Sequence, residues 1–172
     1  MKNVLKFSGA IAFVLGLVAF ILMMATNSIV SLGDNLSGFY SGTAALFGNG
    51  SYKLASGGGS LVLDFSGTLA WNALLGWIFT ICGLLLTCFG LILPFLKNKT
   101  LDKFAGLLNL IGVALFAVGG VLLFFTVPAF AAANDVNLDK WGLGAGWVIA
   151  GILDLIAAGF AALPVVAQIL KK

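Results

Sequence analysis

The chain has 172 residues, of which 61% are hydrophobic and 9% are charged, whereas a soluble domain is roughly half apolar and about a quarter charged. This composition excludes an ordinary soluble domain and predicts an integral membrane protein. The charged residues are nine lysines and six aspartates, without glutamate, arginine or histidine, so most side chains that serve as catalytic acids, bases or metal ligands are missing. We expect a non-enzymatic protein without cofactor or metal. The net charge of +3 does not indicate nucleic-acid binding, because the lysines lie at the ends of apolar runs.

Four apolar runs are each long enough to cross a bilayer core, which takes roughly 20 helical residues. The predicted spans are about 7–27, 73–96, 104–130 and 143–170. The first run is also compatible with a signal peptide, but the segment 23–25, Met-Met-Ala, is a poor cleavage site, so we interpret it as a span. Pro94 and Pro128 lie near span ends, and Pro164 is the proline expected to kink a helix.

The lysines predict the orientation. All except Lys53 and Lys140 lie on the side that carries the two termini and the short second loop. Cytoplasmic loops are enriched in basic residues, so both termini are predicted to be cytoplasmic in a multi-pass protein of the plasma membrane. The lysine-only basic set and the 15 phenylalanines indicate an AT-rich coding bias and hence a bacterial protein. The tryptophans are expected at the outer membrane interface: Trp71, Trp77, Trp141 and Trp147.

The first loop, residues 28–68, is predicted to form a small antiparallel sheet. Strand-forming residues at 51–56 and 60–65 flank a glycine turn at 57–59, and residues 39–47 are a further extended candidate. The alternative is a flexible Gly/Ser linker. A linker would not carry so many large apolar side chains, which we predict form an extracellular contact surface: Phe47, Tyr52, Leu54, Leu61, Leu63 and Phe65.

Glycines recur at seven-residue intervals in every predicted span. They are Gly9, Gly16, Gly76, Gly83, Gly90, Gly112, Gly119, Gly144 and Gly151. This spacing forms one stripe along each helix and predicts close, left-handed crossings of about 20°. Large side chains of the third span, such as Phe116, are then expected to point outward. The predicted fold is an all-α membrane protein, a left-handed four-helix transmembrane bundle with a small antiparallel β-sheet in the first extracellular loop.

Asp154 is the one charged residue inside a predicted span, and intramembrane acids often mark functional sites. Small residues share its helix face, so its carboxyl is expected to point into the bundle, with Thr80 as the hydrogen-bond partner at matching depth. Two interpretations stay open: a path for a proton or cation, and a structural role for a neutral or hydrogen-bonded carboxyl. Cys82 and Cys88 are about 9 Å apart along one helix, too far for a disulfide, and are expected to be free thiols.

The order of parts resembles the claudin and peripheral myelin protein group of tetraspan proteins. Cytoplasmic termini, a long first outer loop with a sheet and a short second outer loop are the shared features. The family's first loop carries Trp, Gly-Leu-Trp and two cysteines; the nearest counterpart here is Ala45-Leu46-Phe47, and both cysteines are absent. The resemblance implies lateral self-association and contact through the outer sheet, and no family site residue carries over.

The leading functional hypothesis is a non-enzymatic membrane scaffold or accessory protein. Its small-residue bundle would lie in membrane lipid and present the first loop for homotypic or partner contacts in a homo-oligomer or larger membrane complex. The main alternative is a small transporter or channel subunit that uses Asp154.

Overall fold

The computed structural model describes residues 2–32, 37–56, 59–93 and 99–169. The helices of this part are α1 (Lys2–Ala25), α2 (Gly42–Phe47), α3 (Trp71–Ile92), α4 (Lys99–Phe124), α5 (Thr126–Asn134) and α6 (Ala145–Ile169). Its strands are β1 (Asn27–Ser31), β2 (Ser37–Ser41), β3 (Asn49–Ser56), β4 (Gly59–Ser66) and β5 (Trp141–Leu143). The turn residues Gly57 and Gly58, and also Pro94, lie outside the described residues.

Four helices of the described part are long and apolar enough to cross a membrane, as the sequence predicted. They comprise Phe7–Ala25, Trp71–Ile92, Phe104–Phe124 and Ala145–Ala167. In the resulting bundle, α1 and α4 each pack against both α3 and α6. The strands lie at the end of the bundle where the α1–α3 and α5–α6 connections meet, called here the sheet end. These features support a multi-pass membrane protein.

Helix α4 ends before the end of the predicted span 104–130. α4 ends at Phe124, Phe125 forms a turn, and α5 begins at Thr126. Pro128 explains the break, because its ring would clash with the carbonyl of the residue four positions earlier, Phe124. In α5 the same proline occupies the first turn, where its missing N–H costs little.

The sheet has five strands in the described part, in the order β4-β3-β2-β1-β5, and the pairings are antiparallel. The 51–56 and 60–65 strands are confirmed within β3 and β4, which pair with Ser56 opposite Gly59. β5 comes from the second loop of the sheet end, and Ile29 of β1 pairs with Leu143. The fourth span was predicted to begin at about residue 143; this residue belongs to β5, and α6 begins at Ala145. The flexible-linker interpretation is excluded for the described part of the first loop.

The extended segment predicted at 39–47 is half strand and half helix. β2 ends at Ser41, whose side chain caps α2 by accepting a hydrogen bond from the Ala44 N–H at 3.4 Å. Gly48 ends α2 with a left-handed φ of 71°, a conformation that glycine adopts without steric cost. The capping serine and the helix-forming Ala-Ala pair outweigh the strand preference of the flanking aromatic residues.

One hydrophobic core lies between the sheet and the bundle. It contains Met23, Ile29, Leu46, Phe130 and Trp147, all fully buried. The Trp147 side chain, expected at the membrane interface, closes this core beneath the sheet and so packs against protein. By burial alone, Trp147 contributes on the order of 2–3 kcal/mol to this contact.

The nine predicted glycines are buried, and all except Gly144 lie in helices at contacts with a neighbouring helix. Gly144 precedes α6 and lies against the Asn27 carbonyl oxygen of β1. Gly76 and Gly119 face each other closely, because a Cβ added to either would lie 3.1 Å from the carbonyl oxygen of the other. Gly16 and Gly83 both lie against the ring of Phe116. Phe116 was expected to point outward but is fully buried, since these two glycines leave the space that its ring fills.

Candidate functional sites

Tyr40 is the centre of an aromatic cluster beneath the sheet. Its ring centroid lies 4.6 Å from Tyr52, 5.2 Å from Phe65 and 4.9 Å from Phe130, and the Trp141 ring follows at 5.6 Å. Tyr52 and Phe65 were predicted as extracellular contact residues, but both pack against the buried core. Their alternation along β3 and β4 places them on the face that meets α5. These rings anchor the sheet to the bundle.

The Tyr40 phenol is a perturbed titratable group outside the membrane-spanning segments. Its side chain is 8% exposed. Burial raises the pKa of Tyr40 above its ordinary value of about 10, and the neighbouring Tyr52 raises this pKa further. The packing of the aromatic cluster therefore favours the neutral phenol.

Strand β4 is an edge of the sheet, and its outer side has no strand partner in the described part of the chain. Leu61, Val62 and Leu63 are 58%, 60% and 46% exposed. Because side chains alternate along a strand, Leu61 and Leu63 lie on one face and Val62 lies on the other. Apolar groups thus flank the free edge on both faces, and we call these three residues the β4 edge patch.

Val62 was missing from the predicted contact residues. Strict alternation assigns it to a polar outer face, whereas the uninterrupted run Leu61-Val62-Leu63 is apolar on both faces. This run is the sequence feature that could have identified Val62 as a contact residue. It is typical of a strand that is covered on both faces, yet neither face of the β4 edge patch is covered here.

The remaining two predicted contact residues lie elsewhere. Leu54 is half-buried and pairs across the ladder with Leu61, so it supports the β4 edge patch from the neighbouring strand. Phe47 is 42% exposed, and its ring makes a T-shaped contact with Trp77 at 5.5 Å between centroids. Phe47 therefore lies where α2 meets α3 and is not part of the edge.

Asp154 and Thr80 form a polar pair inside the bundle, as the sequence predicted. Both side chains are fully buried, and Thr80 Oγ1 lies 2.5 Å from Asp154 Oδ2. The contact joins α3 to α6. The Thr80 hydroxyl also lies 3.0 Å from the Gly76 carbonyl oxygen, and Asp154 Oδ1 has no hydrogen-bond partner among the described residues.

Gly120 of α4 leaves the space that Asp154 occupies. A Cβ added to Gly120 would lie 3.1 Å from Asp154 Cβ and 2.8 Å from the Gly151 carbonyl oxygen. Both distances are shorter than ordinary van der Waals contact, so a larger residue would separate α4 from α6. The seven-residue spacing did not identify Gly120, because Gly120 directly follows Gly119 and so falls outside the series. The pair Gly119-Gly120 is the sequence feature that could have identified it.

The polar pair offers few ligands for a cation. The described residues contain no group of three or more His, Cys, Asp or Glu side chains that could hold a metal. Cys82 and Cys88 are free thiols, both half-buried. In the described part of the chain, the Asp154 carboxyl contacts one further side-chain oxygen, that of Thr80, whereas Ca²⁺ takes about six to eight oxygen ligands.

Comparisons with known proteins identify no family for this chain. No protein-family model matches it, and no curated protein sequence matches it. The β4 edge patch and the polar pair are therefore the two candidate functional sites.

Proposed function

We propose that this chain is a non-enzymatic integral membrane scaffold or accessory protein that associates laterally through its β-sheet. The observation that carries the proposal is the free edge of β4, with Leu61, Val62 and Leu63 exposed. An unpaired strand edge presents backbone N–H and C=O groups that can hydrogen-bond to another chain. Exposed apolar side chains on both faces add contact area. A second copy or a partner membrane protein would cover this edge.

The composition of β4 supports this proposal. Edge strands are commonly protected by lysine, proline or a bulge. β4 contains neither lysine nor proline, and its one charge is Asp64. Its pairing with β3 runs in unbroken register from Asn49 opposite Ser66 to Ser56 opposite Gly59. No bulge interrupts this pairing, so β4 presents a continuous edge to a neighbouring molecule.

The proposal includes an orientation. The lysine distribution favours cytoplasmic termini and an extracellular sheet end in a bacterial plasma membrane. The seven-residue glycine spacing favours left-handed helix crossings. We also propose that the chain is similar in architecture to the claudin and peripheral myelin protein group. The order of four helices and an outer sheet supports this similarity.

Native mass spectrometry of the protein in a mild detergent tests the contact role. We expect the wild-type protein as dimers or larger assemblies, with or without co-purifying chains. Leu61→Lys should weaken association roughly 10- to 100-fold, because it removes about 1.5–3 kcal/mol of apolar burial. The matched control is Asn137→Lys, which adds the same charge at an exposed position outside the sheet and should leave the assembly unchanged. A monomeric wild-type protein without partner chains would refute the proposal.

The second candidate is a small transporter or channel subunit that uses Asp154. The fully buried carboxyl, with one oxygen lacking a partner in the described part of the chain, favours it, because intramembrane acids are costly and often functional. Asp154→Asn should then abolish a gradient-driven flux in reconstituted vesicles while the protein still folds. Unchanged flux, or a lowered melting temperature with no flux in either protein, would exclude this candidate.

A further inference from the structure

The Asp154–Thr80 contact lies inside the bundle, apart from the β4 edge patch, and the hydrogens available there determine which group donates. Thr80 Oγ1 has two oxygen neighbours, the Gly76 carbonyl oxygen at 3.0 Å and Asp154 Oδ2 at 2.5 Å. A carbonyl oxygen only accepts hydrogen bonds, and a threonine hydroxyl has one hydrogen to donate. If Thr80 donates to Gly76, the shorter contact needs a hydrogen from Asp154.

The alternative assignment is an ionised carboxylate that accepts the hydrogen of Thr80. It would leave Asp154 Oδ1 as a charged oxygen that is fully buried and has no donor among the described residues. A buried charge without a compensating partner is among the most unfavourable arrangements in a protein interior. A protonated carboxyl removes the charge and supplies the missing hydrogen, so one change resolves both problems.

The surroundings contain no compensating cation in the described part of the chain. α6 packs against α1, α4 and β1, whose described side chains include no titratable group. The described titratable groups of α3 are the half-buried thiols of Cys82 and Cys88. Gly120 brings the α4 backbone against Asp154 Cβ, which excludes a larger polar side chain from that side.

We infer that Asp154 is a proton-binding site: its carboxyl is protonated in the folded bundle, and its O–H donates to Thr80 Oγ1. Thr80 in turn donates to the Gly76 carbonyl oxygen, so a chain of two hydrogen bonds runs from α6 to the α3 backbone. Asp154 Oδ1 is then a carbonyl oxygen with no donor in the part of the chain that the structure describes. The ligand is the proton itself, since the pair offers too few oxygens to coordinate a metal cation.

Infrared spectroscopy of the protein in lipid at neutral pH tests this inference on the wild-type chain. A protonated Asp154 should add a carboxylic acid C=O band above the amide I band. Because Oδ1 has no hydrogen-bond donor among the described residues, the band should lie at the high-frequency end of its range. Labelling aspartate carboxyls with ¹³C should shift the band. Absence of a label-sensitive band would refute the inference.

Substitutions assign the band. Asp154→Asn should remove it, whereas Asp135→Asn and Asp139→Asn, at exposed positions, should leave it unchanged. Thr80→Val should keep the band but shift it, because the carboxyl O–H loses its acceptor, and Thr80→Ser should restore the wild-type position. A band that survives Asp154→Asn, or that is insensitive to Thr80→Val, would contradict the assignment. If Asp154→Asn does not fold, the labelled wild-type band together with its shift in Thr80→Val still tests the inference.

Discussion

At the scale of single residues, the helix glycines differ in what lies against them. A Cβ at Gly83 would lie 3.1 Å from the Phe116 ring, and one at Gly159 would meet nothing within 4 Å. Both are glycines inside apolar helices, so their helix propensities are similar. Because the two positions differ in packing alone, substitutions at Gly83 and Gly159 can be compared directly.

We expect Gly83→Leu to destabilise the bundle by about 1–3 kcal/mol, because the added side chain must displace the buried Phe116 ring. Thermal unfolding in detergent measures the effect. Gly159→Leu introduces the same side chain at the open position and should leave the melting temperature nearly unchanged. Equal shifts in the two variants would contradict the packing role of the glycine stripe.

Tyr40 predicts a pH dependence of stability. Burial and the neighbouring Tyr52 raise the pKa of Tyr40 in the folded protein, so above about pH 10 the unfolded chain loses this proton before the folded chain does. Stability should therefore be fully present below pH 10 and fall as the pH rises through the folded-state pKa. Tyr40→Phe keeps the ring packing and removes the titration, so its melting temperature should fall less over this range. Identical pH profiles would contradict the prediction.

At the scale of elements, the two loops of the sheet end depend on each other. β5 completes the sheet by pairing with β1, and Asn134 at the end of α5 binds the segment that precedes α3. Its Oδ1 accepts from the Thr68 N–H at 2.7 Å, and its Nδ2 donates to the Thr68 carbonyl oxygen at 2.8 Å and to the Phe130 carbonyl oxygen at 3.0 Å. The second loop therefore contacts the first loop at both of its ends, through Asn134 at one end and through β5 at the other.

Asn134→Ala should destabilise this junction by about 1 kcal/mol, since it removes hydrogen bonds that are partly exposed to solvent. Hydrogen exchange at the Thr68 amide should become faster, and the melting temperature should fall slightly. Asn137→Ala is the control, because Asn137 Oδ1 accepts a local bond from the Asp139 N–H at 2.9 Å and does not join the two loops. Faster exchange at Thr68 in the control as well would contradict the role of Asn134.

At the scale of the whole molecule, the sheet joins strands of the α1–α3 and α5–α6 connections, so both connections lie at the same end of the bundle. In a chain with Cys82 and Cys88 replaced by alanine, cysteines introduced at Ser60 and Asn137 should react with a membrane-impermeant thiol reagent in intact cells. A cysteine at Asn98, between α3 and α4, should react only after the cells are opened. The reverse pattern would overturn the proposed orientation, and different labelling of Ser60 and Asn137 would contradict the shared sheet.

The sequence by itself determined the four helices that are long and apolar enough to span a membrane, the β3–β4 hairpin, eight glycine positions at helix contacts and the Asp154–Thr80 pair. These follow from local rules, since a bilayer requires long apolar runs and close helix contacts require small residues. Only the tertiary structure decided that β5 joins the sheet, that Phe116 and Trp147 point inward and that Tyr52 and Phe65 face α5. It also decided which strand is left at the edge. These outcomes depend on contacts between segments far apart in the chain, which no local residue pattern encodes.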